Sequence, residues 1–303
     1  MVTKLFSRLF TETKEWQMKP HIRCLHILKK GGMIRRGWWI MDFGMPFLIE
    51  TCSQKECISL CSRLGLQFIE WNMNFPQCQP ENFQVEMLRE AGERENIYFT
   101  LHLEENINFS DFNQRVRRAY LDTALESIEL AKKIGAPLIN MHLAKGIFIT
   151  LPDKRRYLFE EYSEIYHENM RKFRKECERA IGDADIKIAV ENTDGFAPYE
   201  QEIIGELLKS PCFGLTLDIG HSHAAKNVDI PFYEKNRGRL IHMHAHDAAG
   251  AKCHLAFGDG EIDLRQRLLM AKGAGARVVL ETKTVEALGK TRRYIEENFQ
   301  DLC

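Results

Sequence analysis

Arg239-Leu-Ile-His-Met-His-Ala-His-Asp247 is the stretch from which the rest of the chain can be read. Three histidines alternate with apolar or small residues, and an aspartate closes the run. Side chains alternate between the faces of a β-strand, so His242, His244 and His246 would share one face. Three imidazoles along one face are an expensive way to build a core, and neutral imidazole is the commonest metal ligand. The stretch therefore reads as a buried strand that ends in a site.

The same pattern of a short apolar strand with a polar end recurs on both sides of it. Upstream lie Phe213-Gly-Leu-Thr-Leu-Asp218, Ile186-Lys-Ile-Ala-Val-Glu191, Leu138-Ile-Asn-Met-His142, Ile97-Tyr-Phe-Thr-Leu-His102, Phe68-Ile-Glu-Trp-Asn72 and a first strand from Phe43 to Glu50. Downstream lies Arg277-Val-Val-Leu-Glu281. Helical patterns fall between them, over about 54–64, 81–92, 112–134, 154–181, 201–208 and 285–299. The third carries apolar residues at helical spacing (Val116, Tyr120, Ala124, Ile128, Ala131), and Gly135 stands where a C-cap belongs. Eight strands alternating with helices from Asp42 to Cys303 predict an α/β fold, a (β/α)8 TIM barrel, which takes ~250 residues. An open doubly wound sheet is the alternative, weakened by the lack of a Gly-rich phosphate loop after the first strand.

Composition is that of an ordinary soluble globular chain, with 44% hydrophobic and 28% charged residues. The net charge of -1 gives no bulk attraction to nucleic acid or to an anionic membrane. No run approaches the ~18 apolar residues of a membrane span. The nine cysteines are scattered without a CxxC, which predicts a reduced, cytoplasmic chain. Residues 1–40 are richer in Lys and Arg. They read as an N-terminal extension outside the barrel of 41–303: either a loosely held basic arm, or leader upstream of a start at Met33 or Met41.

In a barrel of parallel strands all C-terminal ends open on one mouth. His102, His142, Glu191, Asp218, His244 and Glu281 close the third to eighth strands, so six residues of metal-ligand type should converge there. Imidazole and carboxylate without thiolate suit Zn2+, Mn2+, Fe2+ or Co2+.

From Phe43 onward the chain resembles the xylose-isomerase-like barrel superfamily, which includes sugar isomerases and epimerases, inosose dehydratases and the endonuclease IV branch. The resemblance is carried by Phe43-Gly-Met-Pro, Val190-Glu-Asn192, Leu217-Asp-Ile-Gly-His221, His244-Ala-His-Asp247, His254-Leu-Ala-Phe-Gly-Asp-Gly-Glu-Ile262 and Leu280-Glu-Thr282. It implies that Glu191, Asp218, His244 and Glu281 hold one divalent ion. It also implies that Glu191 and Glu281 act as acid and base on opposite faces of a hydroxy-ketone, whose enediolate charge the ion stabilises. His221 matches a position that touches a substrate oxygen, and His246, Lys252, His254 and Lys283 are expected to face the substrate with it. The endonuclease branch adds ligands that His102 and His142 match, which leaves a second ion open. Its third ion needs His221, His254 and an Asp, and Lys252 stands where that Asp would be. Lys145, Lys252 and Lys283 could instead meet one phosphate or carboxylate. The resulting expectation is a metal-dependent isomerase or epimerase of a small sugar, sugar phosphate or polyol. The alternatives are an endonuclease-IV-like phosphodiesterase and a non-catalytic metal- or sugar-binding barrel. A homo-oligomer stays open.

Overall fold

Eight short apolar segments need partners on both sides to satisfy their backbone groups, and closing the sheet supplies them. In the computed structural model, which describes residues 41–302, they do so. The strands are β1 (Phe43–Pro46), β2 (Phe68–Asn72), β3 (Tyr98–His102), β4 (Leu138–His142), β5 (Lys187–Glu191), β6 (Phe213–Asp218), β7 (Leu240–Ala245) and β8 (Arg277–Leu280). Each pairs in parallel with its neighbours in sequence, and β8 pairs with β1 to close the barrel. This is the (β/α)8 TIM barrel that the sequence predicts. Residues 1–40, expected to form an extension, lie outside the described residues.

The helices begin and end where capping chemistry places them. Asn113 accepts the amide of Arg115 at 3.1 Å to open Gln114–Ile134, and Gly135 closes it at φ 68°. Asp263 accepts Gln266 N–H at 3.0 Å to open Leu264–Ala274, a helix the sequence reading left out. One prediction needs correction. The helix expected over 154–181 starts later, as Leu158–Glu161 and Ser163–Ile181, because Arg155–Tyr157 pairs with Phe148–Thr150 in an antiparallel hairpin. Pro152-Asp153 forms its turn, with Leu151 N–H bonded to Lys154 O at 2.8 Å, and Pro at that position sets the dihedral a turn needs. A second hairpin follows β7, pairing Asp247–Ala249 with Lys252–Leu255, and it carries His254 back to the mouth.

Bulky branched residues usually fill a barrel of this kind. Here Glu70, Thr100, Asn140, Thr216 and His242 are buried within its strands. Thr216 Oγ1 donates to Asn140 Oδ1 at 2.5 Å, Thr100 Oγ1 to Glu70 Oε2 at 3.2 Å, and His242 Nε2 lies 2.8 Å from the same oxygen. The strand ends thus rest on a hydrogen-bonded polar layer.

Candidate metal centre

Register sets the site. His142 stands beside Glu191, and Asp218 beside His244, as parallel pairing partners. Glu281 follows directly on β8, whose Val279 pairs with His244. Ligand atoms of Glu191, Asp218, His244 and Glu281 consequently lie within 4.8 Å of one another. His244 Nδ1 is 3.0 Å from Glu191 Oε1 and 3.2 Å from Glu281 Oε2. Ligands ~2.0–2.2 Å from a tetrahedral ion sit roughly 3.3 Å apart, so the spacing fits a divalent ion. His244 Nδ1 and Glu281 Oε2 are also buried without an aligned hydrogen-bond partner among the described residues. Buried polar atoms are rarely left so, and an oxygen-rich set with one imidazole suits the Zn2+, Mn2+, Fe2+ and Co2+ group.

Charge supports the same reading. Burial pushes the carboxyls of Glu191 and Glu281 up, but the surrounding cations together outweigh it and hold both well below the usual carboxylate range: His244, His142 and His102 around Glu191, His244 and Lys283 around Glu281. Burial pushes the His244 imidazole down, and Glu191, Glu70 and Glu281 together raise it well above its usual value. Three carboxylates around one imidazole call for a cation, whether proton or metal.

Asp218 is fixed from several sides. Its Oδ1 accepts His221 N–H at 2.6 Å, capping Ile219–Ala224, and His246 Nε2 sits 3.1 Å away. Asn192 clamps the Asp218 backbone, accepting its N–H at 2.8 Å and donating to its carbonyl at 3.0 Å. Gly220 is required by contact: a Cβ there would lie 1.8 Å from the His246 ring.

A second group adjoins the first through Glu191. His102 Nε2 and His142 Nε2 each lie 3.3 Å from Glu191 Oε2, which also accepts from Asn140 Nδ2. His102 Nδ1 lies 2.7 Å from the carbonyl of Leu103, which can only accept, so that nitrogen carries the proton and Nε2 faces the carboxylate. Burial lowers the His102 imidazole, yet Glu191 raises it to about 9.

His221, His246 and His254 form a third group. His246 Nδ1 accepts the amide of His254 at 2.8 Å, so its ring proton sits on Nε2 and goes to Asp218. His254 Nδ1 lies 3.2 Å from Glu281 O, and burial lowers its imidazole to about 4. His254 also holds φ at 59°, a conformation side chains seldom adopt, which fixes it against the mouth.

The three lysines named from the sequence differ in their partners. Lys283 Nζ pairs with Glu281 Oε1 at 2.7 Å, and Lys145 with Asp194 at 2.5 Å. Lys252 is exposed and forms no ion pair among the described residues. Glu70, Asn140, Asn192 and Asp247 also shape the site, though the sequence assigns none of them a role there. Asp247 accepts four backbone amides, those of Ala248, Gly258, Gly260 and Ile262, and so pins the loop after the second hairpin. The sequence signal for Glu70 and Asn140 is a polar residue in the middle of an apolar strand. The seven cysteines described are free thiols, and no described helix is long and apolar enough to cross a membrane.

A closed parallel barrel with carboxylates and imidazoles at the C-terminal ends of its strands defines a class. The chain belongs to the xylose isomerase-like TIM barrel family, which it matches over residues 58–300. An uncharacterised protein of Methanocaldococcus jannaschii is 26% identical over 208 residues, 66% of this chain and 76% of that one. A D-tagatose 3-epimerase-like protein superposes with a TM-score of 0.71 at 24% identity, covering 86% of this chain and 98% of its own. The IOLI protein, whose structure holds a zinc atom, superposes with a TM-score of 0.67 at 16% identity, covering 84% and 97%. At these identities the structural likeness is one of fold.

Proposed function

We propose that the chain is a divalent-metal-dependent isomerase or epimerase of a small sugar, sugar phosphate or polyol. The observation that carries this reading is the pair of glutamates flanking His244 Nδ1, at 3.0 and 3.2 Å, inside one four-residue group. Glu191, Asp218, His244 and Glu281 would hold the ion. When bound, the ion supplies fixed positive charge against the negative charge that develops on a substrate's oxygens as a neighbouring carbon loses its proton.

The chain's own residues divide the remaining work. Glu281 reaches the mouth with 13% of its side chain exposed, against 1% for Glu191, and Lys283 holds its Oε1. Its greater exposure makes it the carboxylate that would reach a substrate carbon as the base. Glu191 lies on the other side of His244 and would return or remove the proton from the opposite face. His254, whose Nδ1 faces the Glu281 carbonyl and leaves Nε2 uncommitted, and His221, whose Nδ1 has no aligned partner among the described residues, would hold substrate hydroxyls. The buried polar layer beneath keeps these groups from collapsing.

Incubation of Mn2+- or Zn2+-loaded protein with a panel of ketoses, aldoses and their phosphates in D2O tests this. Deuterium entering at the carbon beside the carbonyl is expected, and absence of exchange and turnover across the panel would overturn it. A second reading rests on a separate observation, the His102, His142 and Glu191 group, which would hold a second ion, and two ions would supply the charge that two-metal phosphodiester hydrolysis needs. Cleavage of an abasic-site oligonucleotide would move the assignment to that reading.

A further inference from the structure

Glu70 lies in the middle of β2, below the mouth, and is 2% exposed. A buried carboxylate without partners is strongly disfavoured, so its neighbours must account for it. Its Oε2 accepts from Thr100 Oγ1 at 3.2 Å and lies 2.8 Å from His242 Nε2. Its Oε1 lies 2.7 Å from His244 Nε2. The carboxylate therefore reaches from β2 across the barrel to two histidines of β7.

His244 has two ring nitrogens and two sets of carboxylates to serve. Nδ1 faces Glu191 and Glu281, and Nε2 faces Glu70. Neither nitrogen has an aligned hydrogen-bond partner among the described residues, so charge on both sides sets the ring's orientation. A proton on Nε2 is the arrangement in which Glu70 is satisfied and the Nδ1 lone pair is free. An uncharged amide at position 70 would set its NH2 against one histidine, and a proton displaced to Nδ1 would abolish the ligand.

We infer that Glu70 is the positioning residue of the metal centre: from below, it fixes the ring and the tautomer of His244 so that Nδ1 points at the ion. The inference rests on the metal reading proposed above, and nothing in it depends on which sugar is used. Outer carboxylates that orient a ligating histidine typically contribute 10–100-fold to metal affinity.

The test is chelator competition for Zn2+, alone, with the full chain. Glu70→Gln is expected to weaken Zn2+ binding 10–100-fold. In a His244→Ala background the same substitution should add nothing, because the effect runs through His244. In the Zn2+-loaded wild type, 15N NMR should find the His244 proton on Nε2. Unchanged affinity in Glu70→Gln would overturn the inference, and so would an equal loss with and without His244, which marks a general packing effect. If Glu70→Gln does not fold, Glu70→Asp keeps the charge but withdraws it by one methylene. Weakened binding in that variant supports the role, and unchanged binding overturns it. A wild type that takes up no Zn2+ removes the metal reading and this inference together, whereas a failed sugar panel leaves the affinity result standing.

Discussion

The four-residue group at the centre of the mouth holds three carboxylates and one imidazole, whereas the trio at its edge is all histidine. In the first, His244 Nδ1 and Glu281 Oε2 are buried and lack aligned partners. In the second, His246 gives Nε2–H to Asp218 and takes the His254 amide on Nδ1, so only His221 and His254 keep a nitrogen free. A buried ring nitrogen without an aligned partner is common to both, His244 Nδ1 in the first and His221 Nδ1 in the second, and the three carboxylates of the central group separate them. The central group is suited to an ion, while the trio is suited to orienting Asp218 and touching a substrate.

The strongest way to break this contrast is to remove a central ligand. Asp218→Ala should cost about three decades or more of Zn2+ affinity, roughly 4 kcal/mol, and abolish activity while the barrel stays folded by circular dichroism. Full metal occupancy in that variant would end the assignment.

Glu200 offers a control among buried carboxylates outside the group. It is 1% exposed, and its Oε2 accepts Ala197 N–H at 2.8 Å with no ion pair among the described residues. Burial pushes it from its ordinary 4.5 up to about 7. The folded chain then holds a proton between those values that the unfolded chain has released. Stability should fall as pH rises through about 4.5 to 7 and stay reduced above, by on the order of 2–3 kcal/mol. Glu200→Gln should flatten that slope and raise the melting temperature at pH 8. An unchanged pH profile would show that Glu200 has a partner.

His246→Ala sharpens the comparison from the other side. It removes no central ligand but frees Asp218, so metal affinity should drop only 10–100-fold, by the outer-partner rule. A loss as large as that of Asp218→Ala would make His246 a ligand. The smallest expected effect is at Lys252, an exposed lysine on the second hairpin. Lys252→Ala should raise KM several-fold for an anionic substrate, about 1 kcal/mol, without releasing metal. An unchanged KM would return it to the solvated surface.

The fold was legible because strand length, polar strand ends and Gly caps repeat along the chain, and these are local signals. The central group was legible for the same reason: Glu191, Asp218, His244 and Glu281 each finish or follow an apolar run, and a parallel barrel brings such ends together. Glu70 was not, since a charged residue in mid-strand gains meaning only when β2 and β7 meet across the interior. The commitment of His246 to Asp218 and His254 was equally hidden, because it depends on a hairpin that folds back and on His254 at φ 59°. The hairpin at 148–157 was lost to a run of charged residues compatible with a helix, where Pro152-Asp153 decided for the turn.

Anomalous scattering from zinc-soaked crystals tests the central claim most directly, because it places each ion. A peak is expected among Glu191, Asp218, His244 and Glu281, with a second allowed beside His102 and His142, and none among His221, His246 and His254. An empty central group, or an ion held by the trio, would contradict that claim.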